Sequence, residues 1–229
     1  MGAPLLKNGS DYLTHTPFLE YMGGTGIPVV ISTGMADQED VDDGVAAIRR
    51  GGKSPFVLLH CTSAYPTPSE SVNLFRMVTL RERYDVPVGF SDHTEGYLAA
   101  CQAITLGACV IEKHFTLDHD LPGPDHWFSS TPYEFAKLVE EVRTAESRLG
   151  NPDIVPDQIE EQGRLKCRVG IVAAEDIQQE TVLAQNMVSF RRPATGLLPK
   201  QLSHYLGRKV VRSITAGESL KTEDFSGSE

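Results

Sequence analysis

The stretch Val86–Thr116, VPVGFSDHTEGYLAACQAITLGACVIEKHFT, decides the fold because it holds a complete strand–helix–strand unit. The apolar runs Val86–Phe90 and Cys109–His114 have the length of buried strands, and Gly96–Leu106 between them has the length of a helix. Strands joined by a helical crossover lie parallel in one sheet, and ligands bind at the carboxyl ends of such strands. The polar side chains that follow each apolar run are therefore predicted to face a binding site.

The same alternation of strand and helix runs through residues 1–150. The other strand candidates are Pro4–Lys7, Pro28–Ser32 and Phe56–Cys61, and the other helix candidates are Pro17–Met22, Gln38–Arg50, Val72–Arg83 and Pro132–Leu149. Five βα units predict a parallel α/β sheet. A closed eight-stranded barrel usually takes about 250 residues, so the residues alone favour an open, doubly wound sheet. The first strand begins almost at Met1, which suggests a chain that starts within a domain.

A change of composition divides the chain. Residues 151–166 are polar and acidic with two prolines, which is typical of a linker. Residues 167–229 contain short strand candidates at Val169–Ala173, Val182–Leu183, Val188–Phe190 and Lys209–Ser213. They predict a small, mostly β second domain, near the lower size limit for independent folding.

The overall composition excludes several classes of function. A formal net charge of -10 argues against broad binding of nucleic acid, which needs a basic surface. The 4 cysteines form no CxxC pair, so neither a zinc knuckle nor a redox dithiol is indicated. The sequence shows no signal peptide and no run of apolar residues long enough to span a membrane, so we expect a cytoplasmic protein without a membrane partner.

Two histidines stand at the predicted strand ends. His93 follows one strand and His114 closes the next, with the carboxylates of Asp92 and Glu112 beside them in sequence. Neutral imidazole binds divalent metal ions, and neighbouring strand ends could share one ion. Two polar strand-end residues that only satisfy hydrogen bonds would give the same pattern, and the two histidines alone leave both interpretations open.

Other polar groups in the predicted loops have weaker signals. They are Lys7 with Ser10, Ser32 in a βα turn, His60, Ser63 and Tyr65 in a strand and its proline-rich loop, Asp125 in a Gly-Pro-Asp turn, and Arg192. Each suits contact with an anion or a sugar, and each also suits an ordinary turn or a solvated surface. The apolar run around His60 favours a buried structural role for that side chain.

Taken together and in order, these segments resemble the sialic acid synthase family. The matching phrases are Lys7-Asn8-Gly9-Ser10-Asp11, Ser32-Thr33-Gly34-Met35, His60-Cys61-Thr62-Ser63-Ala64-Tyr65-Pro66, Gly89-Phe90-Ser91-Asp92-His93-Thr94, Glu112-Lys113-His114-Phe115-Thr116, Gly123-Pro124-Asp125 and Arg192-Pro193-Ala194-Thr195-Gly196. The last phrase resembles the family's C-terminal antifreeze-like module, the SAF domain. The resemblance covers residues 4 to 225 and implies the last five βα units of a (β/α)8 TIM barrel followed by that domain.

The resemblance also implies a reaction and a cofactor. Such enzymes condense phosphoenolpyruvate with N-acetylmannosamine, or a related acetamido sugar, to a sialic-type nonulosonic acid and phosphate. His93 and His114 match the ligands of a divalent ion, expected to be Mn²⁺ with Mg²⁺ or Co²⁺ as alternatives, which polarises the aldehyde of the sugar. Glu112 matches an acidic residue beside the metal-binding histidine and is expected to be catalytic, together with His93 and His114.

Further roles follow from the same resemblance. The positions that hold phosphoenolpyruvate are Lys7, Ser10, Ser32 and Ser91, with Ser63 where some members have an asparagine. Tyr65 and Asp125 match positions on the sugar side. Arg192 matches a residue that reaches the acetamido group from the partner subunit, which implies a domain-swapped homodimer. Two alternatives remain open, namely an inactive, N-terminally truncated fragment and another phosphoenolpyruvate-dependent aldol synthase that uses an aldose phosphate.

Overall fold

The computed structural model describes residues 2–226 and divides into two compact units, Met1–Asn151 and Pro152–Glu229. The first unit alternates strands and helices: β1 Leu6–Asn8, α1 Thr16–Gly24, β2 Val29–Ser32, α2 Gln38–Gly51, β3 Phe56–His60, α3 Phe75–Tyr84, β4 Val88–Asp92, α4 Leu98–Thr105, β5 Ile111–Lys113 and α5 Pro132–Leu149. All five predicted strands and all five predicted helices of this unit are confirmed, with ends that shift by a few residues.

The strand order of the sheet identifies the fold. The five strands are parallel and lie side by side in the order of the chain, β1-β2-β3-β4-β5. In a doubly wound sheet the strand order reverses at a switch point, whereas in a barrel every crossover moves the chain one strand in the same direction. The expectation of a doubly wound sheet is therefore wrong, and the five strands form a curled half-barrel.

One face of the sheet forms the apolar core with the helices. Ile31, Leu58 and Phe90 pack there against Ile48 of α2 and Met77 of α3. Successive side chains of a strand point to opposite faces, so the residues next to these three face away from the helices. Every second residue of each strand is thus directed to the concave side of the half-barrel.

Local signals in the sequence fix the helix that follows the last strand. The Thr131 hydroxyl caps the first turn of α5, and the carboxylate of Glu134 accepts hydrogen bonds from the Thr131 backbone and hydroxyl. Pro132 occupies the first helical position, as the sequence predicts. Because the start of α5 is fixed in this way, the loop between His114 and Thr131 is anchored at both ends.

The second unit has its own apolar core, which includes Ile171, Leu183, Val210 and Leu220. Its elements are β6 Gly170–Ala173 and the antiparallel β7 Val188–Arg191, with short helices α6 Glu161–Cys167 and α7 Leu202–Tyr205. The predicted strands Val182–Leu183 and Lys209–Ser213 are wrong, since single bridges such as Val182–Lys209 and Val210–Phe225 replace them. Most of α6 lies within the segment predicted as a linker. Gly227–Glu229, at the end of the predicted second domain, lie outside the described residues.

No helix within the described part of the chain is both long and apolar enough to cross a membrane.

His60 is a buried structural side chain, as its apolar surroundings predict. It is 2% exposed, its Nε2 donates a hydrogen bond to the Val72 carbonyl at 2.6 Å, and its ring stacks on Phe90 at 5.9 Å. Burial lowers the pKa of His60 below its usual 6.5. The folded protein therefore holds the neutral imidazole at pH values where the unfolded chain binds a proton.

We expect the free energy of unfolding to fall as the pH drops below about 6.5, the ordinary pKa of histidine. His60→Gln should reduce that slope, and the contribution of His60 to it is at most about 1.4 kcal/mol per pH unit. Urea unfolding followed by the fluorescence of Trp127, the 1 tryptophan of the chain, measures the slope. His204→Gln, at an exposed histidine, is the matched substitution with which the slope of His60→Gln is compared. A slope that His60→Gln does not alter would contradict this assignment.

Candidate active site

A cavity of about 450 Å³ lies at the carboxyl ends of the strands of the first unit. Nine of the eleven side chains predicted for the site line it: Lys7, Ser10, Ser32, Ser63, Tyr65, Ser91, His93, Glu112 and His114. The alternation of side chains along the strands explains this convergence, because Ser32 and Ser91 follow the core residues Ile31 and Phe90 and so face the concave side. Ser91 of β4 and Glu112 of β5 are register partners, so these two residues of the site lie side by side.

A chain of polar contacts crosses the floor of the cavity. The Lys7 ammonium donates to the Ser32 hydroxyl at 2.8 Å and to the Asn8 carbonyl at 2.9 Å. Glu112 Oε2 lies 3.6 Å from Lys7 Nζ, and Glu112 Oε1 accepts from the Ser91 hydroxyl at 2.7 Å. Both charged side chains remain about one-third exposed, at 34% and 39%, so their ion pair contributes little to stability. The ammonium therefore remains accessible to an anionic ligand.

Small side chains from two loops converge on Gly34 of a third loop. Its backbone N–H donates to the Ser10 hydroxyl at 2.9 Å, and that hydroxyl lies 3.2 Å from Cys61 Sγ. A Cβ atom at Gly34 would lie 2.4 Å from Ser63 Oγ and 2.8 Å from both Ser10 Oγ and Cys61 Sγ. Only glycine fits at this position, because a side chain would occupy the space that the Ser10 and Ser63 hydroxyls fill.

His93 presents one ring nitrogen without a hydrogen. Its Nδ1 lies 2.8 Å from the Thr62 carbonyl, which can only accept, so Nδ1 carries the hydrogen of the neutral ring. The hydrogen of the nearby Ser91 hydroxyl goes to Glu112, which leaves the lone pair of Nε2 available. Burial lowers the pKa of His93, helped by the neighbouring His114, so the ring is neutral at pH 7. A neutral imidazole oriented through Nδ1 is typical of metal ligands.

Aromatic rings surround the two imidazoles. The His93 and His114 ring centroids are 5.3 Å apart, and Tyr65 lies 4.3 Å from the first and 5.3 Å from the second. Phe128, 5.0 Å from both His114 and Tyr65, closes the cluster. Asp125 Oδ2 is 3.9 Å from His114 Nδ1, so Asp125 lies beside the cavity although it does not line it. Burial raises the pKa of Tyr65, which keeps its phenol protonated and able to donate.

The donor set of the cavity suits a divalent cation. Two imidazoles in contact with each other, one of them neutral with a free Nε2, fit such an ion. Within residues 2–226 no group of three or more His, Cys, Asp and Glu side chains could hold a metal. A cation bound here would thus have two protein ligands and open positions for substrate and water.

Asp92 is not the oxygen donor beside His93 that the sequence suggests. Its carboxylate is fully buried, and Oδ2 lies 3.0 Å from Lys113 Nζ. Oδ1 accepts from the backbone N–H and the hydroxyl of Thr94 at 2.9 and 2.8 Å. The strand alternation gives the reason, since the residue before His93 must point away from the cavity.

One residue predicted for the site lies in the second unit, and three residues that line the cavity were not predicted. Arg192 is exposed in the turn after β7 of the second unit, and its role stays a prediction. Asp11, Met35 and Cys61 line the cavity without having been predicted for the site. Cys61 could have been found, because it continues the inward alternation of Leu59 past the end of β3.

Comparison with known proteins gives the family. Residues 1–153 match the model of the NeuB family, and residues 168–226 match the SAF domain. The N,N'-diacetyllegionaminic acid synthase of Legionella pneumophila is 37% identical over 97% of this chain, and the pseudaminic acid synthase of Campylobacter jejuni strain 81-176 is 40% identical over 86%. The crystal structure of N-acetylneuraminic acid synthetase from Leptospira borgpetersenii, in complex with citrate, superposes with a TM-score of 0.65 at 36% identity, covering 71% of this chain and 56% of that one.

These comparisons confirm the family and fold that the sequence resemblance implied. The chain spans 64% and 57% of the lengths of the two synthases. The first match contains the half-barrel, and the second contains both strands of the second unit but not α6. The chain belongs to the NeuB family and carries a C-terminal SAF domain.

Proposed function

We propose that the cavity condenses phosphoenolpyruvate with an acetamido sugar to give a nine-carbon 2-keto acid and phosphate, a step of carbohydrate biosynthesis. The observation that carries the proposal is the division of one cavity into an ammonium and hydroxyl wall around Lys7 and an imidazole wall of His93 and His114. The relatives named as synthases of legionaminic, pseudaminic and N-acetylneuraminic acids support this reaction class.

The Lys7 wall would bind phosphoenolpyruvate. The ammonium of Lys7 neutralises an anion, and the hydroxyls of Ser10, Ser32 and Ser91 can donate to phosphate or carboxylate oxygens. Ser63, next to Gly34, extends this set of hydroxyls. Since a phosphate and a carboxylate carry several negative charges and Lys7 is one cation, the hydroxyl groups are needed to complete the hydrogen bonds.

The imidazole wall would hold a divalent cation and the sugar. His93 and His114 are the proposed ligands of Mn²⁺, and Co²⁺ suits them better than Mg²⁺, which prefers oxygen ligands. When bound, the cation supplies Lewis-acid polarisation of the sugar's aldehyde oxygen. Tyr65 can donate a hydrogen bond to a sugar hydroxyl, and Asp125 can accept one.

The reaction joins C3 of phosphoenolpyruvate to the aldehyde carbon, adds water at C2 and releases phosphate. A base is needed for the proton of that water. Glu112 suits this role because its carboxylate lines the cavity between Lys7 and the imidazoles and accepts a hydrogen bond from Ser91.

Product analysis tests the proposed function. The full chain is incubated with phosphoenolpyruvate, Mn²⁺ and, in separate reactions, N-acetylmannosamine, a diacetamido trideoxyhexose and an aldose phosphate. We expect phosphate release and a nine-carbon 2-keto acid by mass spectrometry with at least one acetamido sugar. Turnover of the aldose phosphate alone would overturn the substrate class. A folded, Mn²⁺-loaded chain that releases no phosphate would favour the inactive fragment.

Arg192 gives a prediction about the acetamido group and the proposed domain-swapped homodimer. Arg192→Ala should raise the KM for the sugar by roughly 10- to 100-fold and the KM for phosphoenolpyruvate much less, because a charged hydrogen bond to the amide is lost. Steady-state kinetics with each substrate varied measure both. Arg191→Ala, a change at the neighbouring exposed arginine, is the control. Equal effects on the two substrates would contradict the role.

Mixing two impaired variants tests whether Arg192 of the partner subunit completes the site. In a mixture of Arg192→Ala and His93→Ala chains, a swapped dimer contains one site in which both residues are intact. At a sugar concentration far below the KM of Arg192→Ala, the rate should therefore rise on mixing above the sum of the separate rates, and a rate equal to that sum would contradict the swapped dimer.

A further inference from the structure

A buried ion pair lies directly behind the two candidate metal ligands. Asp92 Oδ2 and Lys113 Nζ are 3.0 Å apart, with side chains 0% and 5% exposed. Lys113 also donates to the Thr94 carbonyl, and Asp92 Oδ1 accepts two hydrogen bonds from Thr94. The three residues form a closed set of directional contacts that the proposed reaction does not use.

The position of this pair in the sheet gives it a consequence for the cavity. Asp92 precedes His93, Lys113 precedes His114, and the two are register partners at the ends of β4 and β5. Because neighbouring side chains point to opposite faces, the pair fastens the strand ends from the helix side while the histidines face the cavity. The separation of the two imidazoles therefore depends on the separation that the pair maintains.

We propose that Asp92 and Lys113, with Thr94, are positioning residues that hold His93 and His114 at the separation a divalent cation requires. This inference rests on the proposed metal role of the two histidines. Stability alone does not require the pair, since well-packed apolar residues of similar size are often as stable as a buried ion pair. Fixed directional contacts would instead preorganise the ligands, and loss of such outer contacts typically weakens metal binding by about 10- to 100-fold.

A purely electrostatic effect of the pair would have a different signature. If only charge mattered, removing the positive Lys113 would strengthen cation binding and removing the negative Asp92 would weaken it. If the pair positions the imidazoles, both changes weaken binding. The sign of the Lys113 effect therefore separates the two explanations.

The test measures the dissociation constant of Mn²⁺ from the intact chain, by the electron paramagnetic resonance signal of the free ion. The variants are Asp92→Asn, Lys113→Met and the double variant, with Lys113→Arg as the conservative change. The control is the double variant Asp42→Asn with Arg83→Met, which removes an ion pair of 2.7 Å on the helix surface. Far-ultraviolet circular dichroism and Trp127 fluorescence report folding.

We expect Asp92→Asn, Lys113→Met and the double variant each to weaken Mn²⁺ binding by about 10- to 100-fold. Lys113→Arg should recover part of the loss, and the surface control should bind as the wild type does. If Lys113→Met leaves Asp92 unpaired and fails to fold, the double variant, which buries no unpaired charge, provides the measurement.

Three outcomes would overturn the inference, and only the last of them also overturns the metal assignment. Wild-type affinity in the folded double variant, or tighter binding in a folded Lys113→Met, would overturn the positioning role and leave the proposed function intact. A wild-type chain that binds no Mn²⁺ would overturn both the metal assignment and this inference.

Discussion

His93→Ala and His114→Ala should each lower phosphate release by about a thousandfold or more, the effect of losing roughly 4 kcal/mol of Lewis-acid stabilisation. Each change removes one of only two proposed protein ligands, so the remaining imidazole should hold the cation much more weakly. Activity that remains should no longer depend on added Mn²⁺. Initial rates across a titration of Mn²⁺ measure both effects.

The control for this prediction is His119→Ala. His119 does not line the cavity, and its Nε2 donates to the Ser129 carbonyl at 2.8 Å. The variant should keep both the rate and the dependence on Mn²⁺. Wild-type turnover with unchanged Mn²⁺ dependence in either cavity variant would refute the metal assignment.

Lys7→Met should lower kcat/KM for phosphoenolpyruvate by about a hundredfold, because a charged hydrogen bond is worth up to about 3 kcal/mol. Among the described residues that line the cavity, Lys7 is the one lysine or arginine. Its removal also leaves the Glu112 carboxylate without its neighbouring positive charge, so two anions would face each other when the substrate binds. The KM for the sugar should change much less.

Two variants control the interpretation of Lys7→Met. Lys7→Arg keeps the charge and should recover part of the activity, although its planar group cannot reproduce the contact with Ser32. The exposed Lys53 precedes β3, at the opposite end of the sheet from the cavity, so Lys53→Met should behave as the wild type. A larger effect of Lys7→Met on the sugar than on phosphoenolpyruvate would contradict the proposed assignment.

The elements of the first unit could be predicted from the sequence because their signals are local. The apolar run of Phe56–His60 and the cap at Thr131 depend on neighbouring residues only. The winding of the sheet could not be derived in this way, because a doubly wound sheet and a barrel share the same series of βα units. They differ in the direction of each crossover, which packing between distant elements decides. The resemblance to a family supplied this information.

The site was predictable where strand alternation governs it. Lys7, Ser32 and Glu112 lie on the concave face, as residues at strand ends next to core positions should. Asp92 is adjacent to His93 in sequence but points to the other face and pairs with Lys113, so adjacency in sequence does not make its carboxylate an oxygen donor at the site. The convergence of loops on Gly34 had no signal in any single segment, since residues from three loops meet there.

Two strands predicted in the second unit are absent because isolated bridges take their place. Val182 and Lys209 form one isolated bridge, and such a pairing has no periodicity that a sequence pattern could reveal. The isolated bridge between Ile177 and Ile214 is of the same kind, although both side chains belong to the buried core. Turns and core packing, more than strand propensity, hold this unit together.

Pulsed electron paramagnetic resonance of the Mn²⁺-loaded chain tests the central claim most directly, because it detects nitrogen nuclei bonded to the ion. The account predicts couplings from two imidazole nitrogens in the wild type and from one in His93→Ala or His114→Ala, at Mn²⁺ concentrations high enough to load the variants. Mn²⁺ bound by oxygen ligands alone, in a chain that condenses phosphoenolpyruvate with an acetamido sugar, would contradict it.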